Sequence, residues 1–138
     1  MSAKDLYHNA ARTALEHDGW QITHDPLSVE LDDFKYEIDL GADELVAAEK
    51  SGRKIAVEIK TFLAASWTSE FHTVLGQFIN YRYALEEKNS DRILYLAVPV
   101  DAFEEFFQLR FIQKVVREQR IKLVVYSAKR KEIVAWIE

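Results

Sequence analysis

The chain has 138 residues, 49% of them hydrophobic and 12% aromatic, with a formal net charge of −5 and no cysteine. That length and composition suit one domain with its own core, here residues 1–138, and exclude a disordered chain. The missing cysteines exclude disulfides and thiolate zinc sites and fit a reducing compartment, so a cytoplasmic protein is expected.

The opening Met1-Ser2-Ala3-Lys4-Asp5 leads into a charged amphipathic segment rather than a signal peptide. Lys4 to His17 spaces Leu6, Ala10 and Ala14, and Tyr7, Ala11 and Leu15, at helical intervals, with Gly19 as a stop. Trp20 to Thr23 reads as a short strand before a turn at Asp25-Pro26. Phe34–Ala48 and Arg53–Phe62 read as two longer strands around the turn Lys50-Ser51-Gly52. Thr68 or Ser69 offers an N-cap for a helix to about Lys88, ending near Asn89. Arg92 to Val98 is a nearly continuous apolar strand, the pattern of a strand covered on both faces, and Pro99 closes it. Asp101 and Glu104 form a capping-box pattern for a helix to about Gln119, broken near Leu109. Two last strands, Lys122–Tyr126 and Glu132–Ile137, flank a basic turn. The order predicts an α/β domain with a mixed central sheet and helices on its faces. No apolar run approaches membrane-spanning length, so no membrane association is expected.

The strand Ile55-Ala56-Val57-Glu58-Ile59-Lys60 carries the most information. Side chains alternate along a strand, so Ile55, Val57 and Ile59 share one face and Ala56, Glu58 and Lys60 the other. A carboxylate and an ammonium on a strand this apolar require compensation, because buried charge is costly unless paired or bound to metal. Phosphodiester hydrolysis needs a water brought to an anionic phosphorus and a cation to stabilise the charge that develops. Mg²⁺ or Mn²⁺ held by two carboxylates from neighbouring strands meets that need, with a lysine beside it. Glu58 supplies one acid, Lys60 the cation, and the Ile59 carbonyl is a further candidate ligand. Asp39, within Tyr36-Glu37-Ile38-Asp39-Leu40, is the expected second acid. A regular hairpin sets Leu45 opposite Glu58 and Asp43 opposite Lys60, so Asp43 competes unless a bulge near Gly41-Ala42 shifts the register. Acid-x-Lys also occurs at Asp33-Phe34-Lys35 and Glu86-Glu87-Lys88, but neither lies on an apolar strand.

Asp39 followed by Glu58-x-Lys60, after an N-terminal helix and before a helix–strand pair, resembles the PD-(D/E)xK nuclease superfamily. Its restriction-endonuclease-like fold is a three-layer α/β arrangement with a mixed central sheet flanked by helices. Gln77 and Tyr81 stand at the spacing of the QxxxY element of several of its branches, one helical turn apart. Closer still is the resemblance to the XisH family, cyanobacterial fdxN-element excision controlling factors. Ala3-Lys4-Asp5, Asp18 to Pro26, Ile38 to Ala42, Ile55 to Lys60, Glu70-Phe71-His72 and Gly76-Gln77 carry it. The resemblance implies a part in DNA excision during heterocyst development, with DNA, a site-specific recombinase and a small XisI-like protein as partners. It also implies catalytic roles for Asp39, Glu58, Lys60 and Gln77, with Asp39 and Glu58 as metal ligands and Tyr81 in support. Ile38 replaces the superfamily's proline, and Tyr7 or His8 stands where related nucleases carry a glutamate, so a third acid is absent or moved.

Other residues have plainer readings. His8 is expected as a helix histidine more than a ligand, and His72 as a capping or packing group more than a phosphate contact. Trp67 is expected as an anchor more than a gate, and Tyr81 and Tyr83 as core or rim aromatics. Phe103, Phe106, Phe107 and Phe111 read first as core, second as a homodimer or partner surface. From Arg110 onward eight basic residues face three acids, +5 against −10 for the rest of the chain. Arg110, Lys114 and Arg117 recur at helical spacing as either a solvated or a phosphate-contacting face. Two functions fit these residues. One is a Mg²⁺-dependent endodeoxyribonuclease acting in DNA rearrangement; the other is a non-cleaving regulatory module acting through protein partners.

Overall fold

A computed structural model describes residues 2–31, 36–37 and 45–138 of the chain. Helix α1 spans Ala3–His17. Its N-cap Ser2 accepts from the Asp5 amide at 3.1 Å while the Asp5 carboxylate accepts from the Ser2 amide at 3.3 Å, a reciprocal capping box. Ala10, Ala11, Ala14 and Leu15 form its buried stripe. Gly19 follows with φ +95°, a conformation that suits glycine.

Strands β1 (Gln21–His24), β4 (Leu45–Lys50), β5 (Arg53–Ile59), β6 (Ile93–Pro99), β7 (Lys122–Ser127) and β8 (Glu132–Ile137) form a mixed sheet in the order β1-β4-β5-β6-β7-β8. β5, β6 and β7 are parallel to one another, while β1, β4 and β8 add antiparallel pairs at the flanks. Helix α2 (Trp67–Glu87) joins β5 to β6, and α3 (Val100–Glu105) with α4 (Arg110–Glu118) joins β6 to β7, as parallel neighbours require a crossover. Two short strands, β2 (Glu30–Leu31) and β3 (Tyr36–Glu37), pair separately.

The sheet carries a different core on each face. Ile55, Val57 and Ile59 of β5 pack with Ala11, Ala14 and Leu15 of α1, and with Tyr95, Val124 and Tyr126. Ala56 packs with Leu96, Val98 and Val125 beneath Phe71, Val74, Phe78 and Tyr81 of α2, and Phe106 and Phe107 extend this core. The arrangement is a mixed α/β sheet flanked by helices, three layers deep, as the element order predicts.

Several local expectations are corrected. The span from Phe34 to Ala48 is not one strand of the main sheet: Tyr36–Glu37 pairs with Glu30–Leu31, and β4 begins at Leu45. α2 starts earlier than Thr68 or Ser69, because Ser66 is its N-cap and accepts from the Ser69 amide at 3.2 Å. The Asp101–Glu104 capping box does not form. Pro99 is the N-cap of α3 with no side-chain hydrogen bond, and the helix begins at Val100, one residue before Asp101. The break near Leu109 does occur, with Leu109 as the N-cap of α4. Phe106 and Phe107 are core, whereas Phe111 is 64% exposed.

Candidate functional site

β5 is buried from Ile55 onward, and the alternation brings Glu58 onto the face that Ala56 shares with α2. Glu58 is paired in register with Leu45 on β4 and Leu96 on β6, and it is fully buried. An ionised carboxylate in that setting has lost its water, so hydrogen bonds, a neighbouring cation or a metal must replace what water supplied.

Lys60, one residue past the strand, is 6% exposed. Its backbone continues the parallel ladder, the amide donating to the Ala97 carbonyl at 3.0 Å. Its carbonyl accepts from the Tyr126 hydroxyl at 2.8 Å. Its ammonium donates to Gln77 Oε1 at 2.6 Å, crossing from the sheet to α2. Lys60 is therefore held from β6, β7 and α2, and its charge sits at one defined place. Gln77 is half-buried, and Tyr81, one turn further along α2, is buried.

The segment after Lys60 is tied to the first turn of α2. Phe62 is buried with φ +51°, an uncommon conformation for a side chain of that size. The Glu70 carboxylate accepts from the Phe62 and Ala64 amides at 3.1 and 3.4 Å. The Trp67 indole donates to the Phe62 carbonyl at 2.9 Å, which makes Trp67 an anchor.

The structure brings Lys60 and Gln77 together, with Glu58 on the same face of the sheet. Leu45 stands opposite Glu58, as the hairpin register predicts. Asp39 and its competitor Asp43 lie outside the described residues. Among the described residues no group of three or more histidine, aspartate or glutamate side chains is arranged to hold a metal ion. The Glu58 carboxylate has oxygens of the kind a hard divalent cation takes, and both expected second acids lie outside the described residues. His8 contacts Asp25 at 3.3 Å beside the Arg12–Asp25 ion pair at 3.0 Å, so its partner is the Asp25-Pro26 turn. His72 is exposed on α2 and does not cap it, and Tyr83 is 68% exposed.

Two contributors escape the sequence reading. Tyr126 was legible only as a strand end, although a buried tyrosine needs a partner for its hydroxyl. Glu70 carries an acid in the first helical turn, which the helix dipole favours, and nothing local indicates that it reaches back to the preceding loop. An immobilised ammonium beside a buried carboxylate-bearing strand is suited to stabilising negative charge, whether that of a ligand or of a reacting group.

The matching family model is described as XisH protein and covers residues 1–134. Two solved structures are similar over nearly the whole chain. An XisH family protein from Nostoc punctiforme PCC 73102 is 45% identical with TM-score 0.89, covering 97% of this chain and 100% of that one. An fdxN element excision controlling factor protein from Anabaena variabilis is 47% identical with TM-score 0.88, covering 97% and 99%. The comparison with curated proteins gave no match. Among the described residues, no helix is long and apolar enough to cross a membrane.

Proposed function

Since the chain belongs to the XisH family, we propose that it is a DNA-excision controlling factor that acts as a regulatory module through protein partners, on a restriction-endonuclease-like scaffold of the PD-(D/E)xK kind. The observation that carries this reading is the likeness to the Anabaena variabilis controlling factor over 97% of the chain. The Lys60 clamp gives it a physical basis: the ammonium is occupied by Gln77 at 2.6 Å and the surrounding strands are closely packed. Such a centre serves as a rigid foundation for surfaces that recognise partners. The partners proposed are a small XisI-like protein, a site-specific recombinase and, through them, the DNA that is rearranged.

Co-expression with the XisI-like protein of the same organism tests the reading. A complex that survives size-exclusion chromatography is expected, with supercoiled plasmid left intact by the chain in Mg²⁺ or Mn²⁺. No complex, or nicking that Glu58→Gln abolishes, overturns it.

The second reading is metal-dependent phosphodiester hydrolysis, and the buried Glu58 and Lys60 on one strand face favour it. Asp39 and Glu58 would hold Mg²⁺ or Mn²⁺, Lys60 would stabilise the charge at phosphorus, and Gln77 would position Lys60. When bound, such an ion supplies an activated water and neutralises phosphate charge. Calorimetric titration of Mn²⁺ into the chain, with Glu58→Gln as control, tests it. Heat in the wild type and none in the variant is expected; no heat in either overturns it.

A further inference from the structure

The basic run singled out in the sequence has no place in the centre built on Glu58, Lys60 and Gln77. Residues from Arg110 onward carry eight basic side chains against three acids, in a chain of net charge −5. On α4 the half-buried residues are Ile112, Val115 and Val116, which pack on the core. At about 100° per residue, Arg110, Lys114 and Arg117 stand together on the opposite, outward side. All three are exposed. The row continues off the helix to Arg120 and Lys122 at the start of β7, which with Arg117 and Glu138 border a cleft of about 570 Å³ whose other lining is mainly apolar, Phe107, Val116, Ile121 and Leu123 among it. Arg120 and Lys122 also line an adjoining smaller cleft with Arg82 and Arg92.

Within the fold this charge is little neutralised. Among the described residues Arg110, Lys114, Arg117 and Arg120 form no ion pair. Lys122 has Glu138 as an electrostatic neighbour. Like charges gathered on one surface repel one another, so the arrangement is stabilised when an anion lies along it.

We infer that the outer face of α4 and the start of β7 form a surface for the phosphate backbone of a nucleic acid, separate from the buried Glu58–Lys60 centre. The alternative occupant, an acidic protein, fits less well. Protein interfaces carry an apolar, desolvated middle inside a polar rim, whereas on the outer face of α4 no apolar side chain lies between Arg110, Lys114 and Arg117. Exposed Phe111 lies about 100° around the helix from Arg110, on the flank next to Glu118. From Arg110 to Arg117 the row spans about 10 Å, the axial rise of roughly three nucleotides on one strand of a duplex. The surface is independent of the excision-controlling reading above, since it requires an anionic polymer and not a particular reaction.

The experiment measures binding of the full chain to a fluorescein-labelled duplex of mixed sequence by anisotropy, from 50 to 200 mM NaCl. The chain carrying Arg110→Gln, Lys114→Gln and Arg117→Gln together is compared with the wild type. Thermal melting checks that the variant is folded, as expected for three exposed positions. Wild-type binding that weakens with salt is expected. In the variant the Kd at 50 mM should rise about tenfold or more, and the log K against log salt slope should become shallower by roughly 2–3, near 0.9 for each phosphate no longer neutralised. An unchanged Kd and slope in the triple variant overturns the inference, as does a wild type that ignores both duplex and single strand. Loss of a protein complex in the triple variant, without any DNA binding to lose, assigns the row to an acidic protein and also overturns it. The anisotropy measurement contains no XisI-like protein, so failure of this surface and failure of the excision-controlling reading are told apart.

Discussion

The Tyr126 hydroxyl donates to the carbonyl of Lys60 at 2.8 Å, so a side chain from β7 fixes the backbone of the residue that follows β5. The bond lies wholly inside the protein, where an orphaned carbonyl costs more than a bond at the surface. Tyr126→Phe keeps the ring in its core and removes only the hydroxyl. It should lower stability by about 1–2 kcal/mol, read as a lower urea midpoint at unchanged m-value. An unchanged midpoint would mean that the bond contributes nothing.

The Lys60 ammonium and the Gln77 amide are 2.6 Å apart with Lys60 nearly buried, so they should be energetically coupled. Charge-assisted hydrogen bonds contribute about 1.5–3 kcal/mol when solvent is excluded. A double-mutant cycle with Lys60→Met and Gln77→Ala should give a coupling of at least about 1 kcal/mol. Additive effects would show that the contact is incidental.

Glu70 closes the segment after Lys60 by accepting from two backbone amides. Glu70→Ala leaves both amides without that acceptor and releases Phe62 from its left-handed conformation. A loss of about 1–2 kcal/mol is expected, together with faster limited proteolysis between Thr61 and Ser66. An unaltered rate of cleavage in this segment would count against the clamp.

Alkaline stability should depend on Tyr95. Burial pushes its phenol up to about 12, helped by the hydrogen bond to Glu138 and its charge and opposed by Arg53. The proton is thus held more tightly in the folded chain than in the unfolded one. The corresponding stabilisation is complete below pH about 10, the ordinary tyrosine range, and is lost as pH rises toward about 12. The same bond lowers the Glu138 pKa, so its contribution is present above the ordinary carboxylate range and lost as pH falls through the lowered value. Melting temperatures measured from pH 9 to 12 should fall more steeply for the wild type than for Tyr95→Phe. Parallel curves would refute the assignment.

The large elements were legible because each is long and periodic. The Ala10, Ala11, Ala14 and Leu15 stripe identifies α1, and the β4–β5 turn sets Leu45 opposite Glu58 by counting alone. Short elements carry no period: Glu30–Leu31 and Tyr36–Glu37 are two residues each and invisible to alternation. Capping patterns misled where the chain entered a helix sooner. Ser66 caps α2 ahead of Thr68, and Pro99 leads directly into α3 so that Asp101 is already inside it. For the candidate site, alternation along one strand grouped Glu58 with Lys60, and the resemblance to the QxxxY element singled out Gln77. Tyr126 acts across 66 residues, and Glu70 reaches back 8 residues into an irregular loop, both through geometry that only the folded chain defines.

Because the two faces of the sheet hold separate cores, the chain is partitioned like a wall with a different room on each side. Changes of volume on the α1 side, at Ala11 or Ala14, are separated from Glu58 and Gln77 by the backbone of the sheet, and Tyr126, whose ring lies in the α1-side core while its hydroxyl bonds the Lys60 carbonyl, is the one described link between the two. An engineer can therefore raise the melting temperature from the α1 side and gain the tolerance needed to dissect damaging substitutions on the other, with the two sets of effects adding rather than entangling.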